Sequence, residues 1–109
     1  MSQEHIQACI EACQQCMTAC IRCYSACLKE DNLDMMKECI RLDRECADIC
    51  EFAAKSMSAD AAYSRELCRL CAEACERCGD ECSKHEAEHC RVCAEACYAC
   101  AKLCRSMAA

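Results

Sequence analysis

ACIEACQQCMTACIRCYSAC, residues 8–27, decides the fold. Its cysteines are Cys9, Cys13, Cys16, Cys20, Cys23 and Cys27, with steps of 4, 3, 4, 3 and 4. Alternating steps of four and three keep side chains on one narrow stripe of an α-helix, the a/d seam of a heptad. A strand has a period of two and would scatter these residues over both faces.

The same clock runs elsewhere in the chain. Cys68, Cys71, Cys75, Cys78 and Cys82 form one seam, and Cys90, Cys93, Cys97, Cys100 and Cys104 another. Cys-Ala-Glu-Ala-Cys occurs at both 71–75 and 93–97. A further seam holds Cys39, Cys46 and Cys50, with Met36 and Asp43 on its missing steps. The phase breaks at the polar stretch 29–32, at 56–60 and at 83–86. Asp31 or Asn32 is a candidate cap for the second helix, and Ser58 or Asp60 for the third. Helices are therefore predicted at about 3–28, 33–57, 60–83 and 87–106. The short joins make neighbours antiparallel, giving an all-α, up-down-up-down four-helix bundle with a cysteine-lined core. The 109 residues fit one domain, 1–109.

Composition explains why the seam matters. Leu, Ile, Val and Phe total only 13 residues, whereas cysteine alone supplies 19. Leucine would bury more apolar area at each of these positions. Replacing it throughout a core needs a chemical reason, although one or two buried thiols are ordinary packing. Disulfides are a poor reason. The cysteine count is odd, Gly and Pro turns are almost absent, and no export signal precedes the first helix. These features predict a reducing, cytoplasmic setting, where dense cysteine means metal. A net charge of −6 speaks against nucleic acid, and no apolar run is long enough to span a membrane.

Thiolates select Cu(I), Zn²⁺ and iron–sulfur clusters. The haem-attachment signature Cys-x-x-Cys-His and the ferredoxin cysteine run are both absent. Zinc in separate Cys₄ sites leaves each site at net −2, a costly charge to bury. Bridged Cu(I) thiolates approach one metal per sulfur and neutrality. The expected cargo is therefore many Cu(I) ions, up to about one per cysteine, and the expected function is Cu(I) storage and buffering without enzymatic activity. A zinc or multi-metal detoxification module and a copper-delivery protein are the alternatives.

On the runs at 9–27, 68–82 and 90–104, the chain resembles the bacterial copper storage proteins, four-helix bundles whose interior cysteines take up Cu(I). The lack of an export signal resembles their cytosolic branch. The resemblance implies a homo-oligomer, a tetramer, and implies that the seam cysteines are the ligands. An apolar stripe on helix one, Ile10, Met17, Ile21, Tyr24 and Leu28, is a candidate subunit interface.

The two ends of the tube differ. Extended past their cysteines, the seams reach Glu30, Met36, Asp43 and His85 at one end, with His89 nearby. At the other end they reach Ile6, Ala53, Met57, Ala61 and Met107. The polar end is the expected entrance for Cu(I), with His85 and His89 passing metal to Cys27, Cys82 or Cys90. Solvated loop histidines are the alternative. Asp43 is expected to pair with His85 or a cation there, because a lone inward carboxylate is costly. Met36 is the candidate thioether ligand.

Overall fold

The computed structural model describes residues 2–109. Four helices account for most of them: α1 Gln3–Cys27, α2 Leu33–Ser58, α3 Ser64–Cys82 and α4 Glu88–Ala108. They form a bundle 45 Å long and 17 Å across. Each helix packs against two neighbours, α1 on α2 and α4, and α3 on α2 and α4. The joins α1–α2 and α3–α4 lie at one end. The α2–α3 join and both termini lie at the other.

The side facing inward is the cysteine seam. All 19 cysteines are buried, none more than 1 % exposed. Small residues flank them, with Ala72 and Ala53 fully buried and Ala47, Ala94 and Ala101 nearly so. Small flanks allow the helices to approach until sulfurs fill the axis of the bundle. Charged residues point outward, where Arg41–Glu38 and Arg105–Glu76 pair at 2.6 Å. Exposed pairs of this kind stabilise little; their main effect is solubility.

The helix ends show where local rules are obeyed and where they are overridden. Ser2 caps α1, its Oγ accepting from the His5 backbone N–H at 3.1 Å. Asn32 occupies the cap position of α2, but its side chain makes no capping bond. The α2–α3 join departs most from the expected boundary, since α3 begins at Ser64 and not near 60. Asp60 does not cap α3; it terminates α2, in the left-handed region at φ 53°. Its N–H bonds the Met57 carbonyl at 3.2 Å, and the Ala61 N–H bonds the Ser56 carbonyl at 3.0 Å. This is a Schellman ending, a role usually filled by Gly or Asn. Aspartate tolerates the left-handed conformation better than most residues, so it serves here. Ser64 Oγ then donates to the Ala61 carbonyl and meets Ser56 Oγ, both at 2.9 Å, which fastens the turn.

The apolar stripe on α1 divides between core and surface. Ile10 is buried, whereas Ile21 and Leu28 are exposed.

The single glycine, Gly79, has a packing role. A Cβ at this position would lie 2.9 Å from the Tyr98 ring. Tyr98 crosses from α4 onto α3 here, donating to Asp80 Oδ1 at 2.7 Å with Ser83 Oγ 3.2 Å away. Alanine normally gains about 1 kcal/mol over glycine inside a helix. Gly79→Ala should therefore gain less than this in the parent chain, because the ring must move. In a Tyr98→Ala background the full gain should return. Chemical denaturation of the four proteins measures the coupling, and equal effects in both backgrounds would contradict it.

Candidate metal centre

The seams of four helices converge into one ladder of sulfur. Sγ atoms meet between neighbouring helices, as at Cys39–Cys82 (3.4 Å), Cys50–Cys71 (3.6 Å) and Cys13–Cys100 (3.6 Å). They also meet across the diagonal of the bundle, where Cys16 lies 3.8 Å from Cys75 and Cys13 4.0 Å from Cys71. The helical i,i+4 spacing adds contacts along each helix, such as Cys46–Cys50 at 3.9 Å. α2 carries the fewest cysteines, yet Cys39, Cys46 and Cys50 all lie within the ladder. Every cysteine is free.

Several sets of four sulfurs lie within 4.8 Å of one another, among them Cys13/Cys71/Cys100/Cys104 and Cys23/Cys27/Cys39/Cys90. Others overlap. Cys16 and Cys46 belong both to a set with Cys50 and Cys75 and to a set with Cys20 and Cys97. Overlap of this kind suits ligands that bridge metals more than ligands reserved for one metal each.

One carboxylate interrupts the sulfur. Asp43 is fully buried and accepts from thiols of α3, α4 and its own helix: Cys78 at 3.2 Å, Cys93 at 3.4 Å, Cys82 at 3.5 Å and Cys39 at 3.8 Å. Burial, reinforced by the negative charge available to Cys93, Cys78 and Cys39, pushes its pKa up to about 11. A neutral carboxyl thus replaces the expected ion pair. Asp43 does not reach His85, because thiols saturate its oxygens one turn inside the ladder. His85 bonds Glu81 instead, at 3.0 Å.

His89 is the histidine that reaches the sulfurs. Its Nδ1 lies 3.4 Å from Cys23, 3.6 Å from Cys90 and 4.0 Å from Cys27. Its Nε2 lies 3.0 Å from Glu30 of the α1–α2 join. A carboxylate accepting from Nε2–H leaves the Nδ1 lone pair facing the sulfurs, the usual way an outer group orients a metal-binding imidazole. Burial holds Cys27 and Cys90 beside it protonated, with Cys90 pushed up to about 12. The opening at this end is lateral. A groove of about 600 Å³ between α1 and α4 includes Cys23 and His89 in its lining, and a second, of about 490 Å³, runs past Arg22, Lys29 and His89.

The sequence profile of copper storage proteins matches residues 2–109. The chain belongs to the copper storage protein family. An uncharacterized cysteine-rich protein of Bacillus subtilis, YhjQ, is 53 % identical over 107 residues, 98 % of this chain and 99 % of that protein. The Cu(I)-bound copper storage protein BsCsp3 superposes with a TM-score of 0.93 at 54 % identity, covering 96 % of this chain and 99 % of the other. A cytosolic copper storage protein from Streptomyces lividans, carrying five coppers, gives a TM-score of 0.93 at 41 % identity, over 96 % and 92 % of the two chains.

Two methionines of this copper storage fold, Met36 and Met57, are buried. Among the described residues, the thioether that accepts a hydrogen bond from a cysteine is that of Met57, from Cys68 at 3.6 Å. The seam places both methionines inward and does not distinguish which one faces a sulfur.

Asp43 has a measurable signature. Its folded pKa lies above the unfolded value of 3.8, so between about pH 4 and 11 the folded chain holds a proton that the unfolded chain has released. Its contribution to stability must fall as pH rises across that window. Asn cannot ionise. The melting temperature of reduced, metal-free Asp43→Asn, minus that of the parent, should therefore grow between pH 5 and pH 8.5. A constant difference would show that Asp43 ionises freely in the fold.

Proposed function

We propose that this chain stores Cu(I), as a single domain spanning residues 1–109, and that all 19 seam cysteines are its ligands. The observation that carries this is the continuous, overlapping sulfur ladder in which no cysteine is left at the surface. Nineteen sulfurs with shared partners do not divide into the separate Cys₄ sites that zinc prefers. They do suit a monovalent, two- or three-coordinate soft metal that bridges thiolates. Each Cu(I) that binds displaces a thiol proton to solvent, so a buried S–H becomes a buried Cu–S bond and the net charge of the core hardly changes. Divalent zinc in tetrads would strand two negative charges per site.

His89 is the proposed first ligand. It stands between the lateral groove and Cys23, Cys27 and Cys90, oriented by Glu30, and it can accept Cu(I) without first losing a proton. His85 and Asp43 are proposed as supporting groups, His85 through Glu81 and Asp43 as an acid within the ladder. Met36 is proposed as core packing at the same end. The bound metal is held, not transformed, so the chain is read as a store and not as an enzyme. A reducing cytosol suits so many thiols in mutual contact. Among the described residues no helix is long and apolar enough to cross a membrane. Exposed Phe52 and Tyr63 beside the α2–α3 join, together with Ile21 and Leu28, support assembly with further copies of the same chain; the number proposed, four, rests on the resemblance to the family.

Anaerobic titration of the reduced protein with Cu(I), against a competing chelator, tests the reading. Uptake should approach one copper per cysteine, release about one proton per copper, and raise the melting temperature markedly with little change in helix content. Saturation near one metal per four cysteines, or stronger retention of Zn²⁺, would refute it. His89→Ala should slow copper uptake and removal several-fold while leaving capacity within one equivalent. His85→Ala should slow both less than His89→Ala does. Equal rates in His89→Ala and the parent would remove His89 from the route.

A further inference from the structure

The end opposite His89 is not simply the apolar floor that its seam residues suggest. Cys68 is the last cysteine of α3 at this end. Its thiol sits beside those of Cys9 and Cys104 and donates to the Met57 thioether at 3.6 Å. Cys104 and Cys9, which lie 3.7 Å from each other, continue the ladder beside it. Hydrogen bonding with Cys104 lowers the Cys68 pKa, but Cys9 and burial outweigh that and push it up to about 12. Met57 itself is buried, on the α2 face that reads Cys46, Cys50, Ala53 and Met57. One helical turn before Cys9, the His5 Nε2 atom is buried with no hydrogen-bond partner among the described residues. A buried imidazole nitrogen without a partner is disfavoured, because it gave up water and received nothing in return.

These three features fit one chemical requirement. Inside the ladder each thiolate is shared between metals on either side. At a terminus the supply of thiolates ends on one side, while the need for soft donors does not. Another thiolate there would add uncompensated charge in apolar surroundings. A thioether and an imidazole are neutral donors that complete a Cu(I) coordination shell without that cost.

Resting on the Cu(I)-storage reading, we infer that Met57 and Cys68 hold a Cu(I) ion that ends the thiolate ladder at this end, with His5, one helical turn before Cys9, as its nitrogen donor. On binding, Cys68 loses its proton to solvent, a Cu–S thiolate bond forms, and Met57 Sδ donates a lone pair. Copper remains Cu(I), and the site as a whole is neutral. The tube thus closes on a thioether at one end and on an imidazole, His89, at the other.

The test uses the full chain labelled with selenomethionine and loaded anaerobically with Cu(I) to saturation. Selenium-edge X-ray absorption should show a direct Se–Cu scattering path, and Met57→Leu should abolish it. Leucine keeps the apolar packing, so the melting temperature of the metal-free protein should change little while capacity falls by about one copper per chain. In His5→Gln a chelator should remove the last-held copper about tenfold faster. A saturated parent protein with no Se–Cu path would overturn the inference, as would a path that persists in Met57→Leu, which would assign the thioether to another methionine. Neither result touches the storage reading, which fails separately if the parent protein saturates near one metal per four cysteines.

Discussion

A core made of thiols is a core that can ionise, and most of this structure follows from keeping that ionisation in check. Leucine in the same positions would need no such control. Here each inward side chain carries a proton whose loss would place a negative charge beside other sulfurs. The metal-free fold manages this by contact. Thiols donate to thiols along and between helices, and their protonation becomes a property of the whole ladder. Asp43 shows how strong the constraint is. An ordinary carboxylate placed among Cys39, Cys78, Cys82 and Cys93 keeps its proton far above its usual range, because releasing it would be worse than burying an acid.

The same constraint sets the backbone. Sulfurs make contact across the bundle diagonal where the helices themselves do not. Bringing four helices close enough for that requires slender flanks, and alanines at 47, 72, 94 and 101 supply them. Large apolar side chains are pushed outward as a consequence, and Phe52, Tyr63 and Leu28 stand in solvent in a single copy of the chain. The helix starts add little support. Only α1 has a side-chain cap, whereas Asn32, Tyr63 and Ala87 head their helices without one. Stability is therefore concentrated in interhelical sulfur contact, which is where bound metal would add cross-links. Bound metal would therefore cross-link the helices through the same sulfurs that pack them.

This concentration explains which features were readable from the sequence. The fold rests on a repeated 3,4 spacing, a local property of each helix, and that spacing survives into the structure at every cysteine. The placement of Asp43 on an inward step was readable for the same reason. Its partner was not. Whether the carboxylate meets His85 or a ring of thiols depends on how deep along the axis it lies, and depth depends on helix stagger, which no single seam records. The α2–α3 join misled for a different reason. Aspartate favours helix starts and also tolerates the left-handed conformation, and Asp60 uses the second property to end α2, so α3 begins four residues later than its position suggested. Met36 and Met57 share the inward phase, and only the facing helix decides that Met57 meets a cysteine.

The ends of the ladder complete the argument, since they obey different rules from its middle. A thiolate between two metals has its charge neutralised from both sides, so an uninterrupted ladder extends without electrostatic penalty until it stops. At its termini the balance fails, and a sequence built only of inward cysteines would leave charge where the bundle meets solvent or apolar packing. Neutral donors at both termini solve this without lengthening the ladder. His89, the proposed first ligand, would do so at the groove end, where Glu30 holds its outer nitrogen and water can reach it. Met57, the inferred terminal donor, would do so at the opposite end, where Ile6, Ala53 and Met107 pack in or against the core and a charged or strongly hydrated group would be unstable. The imidazole belongs where exchange with solvent is needed, and the thioether where it is not. On the proposed roles of His89 and Met57, the direction of metal traffic would follow from the ends of the tube, although its walls are nearly uniform.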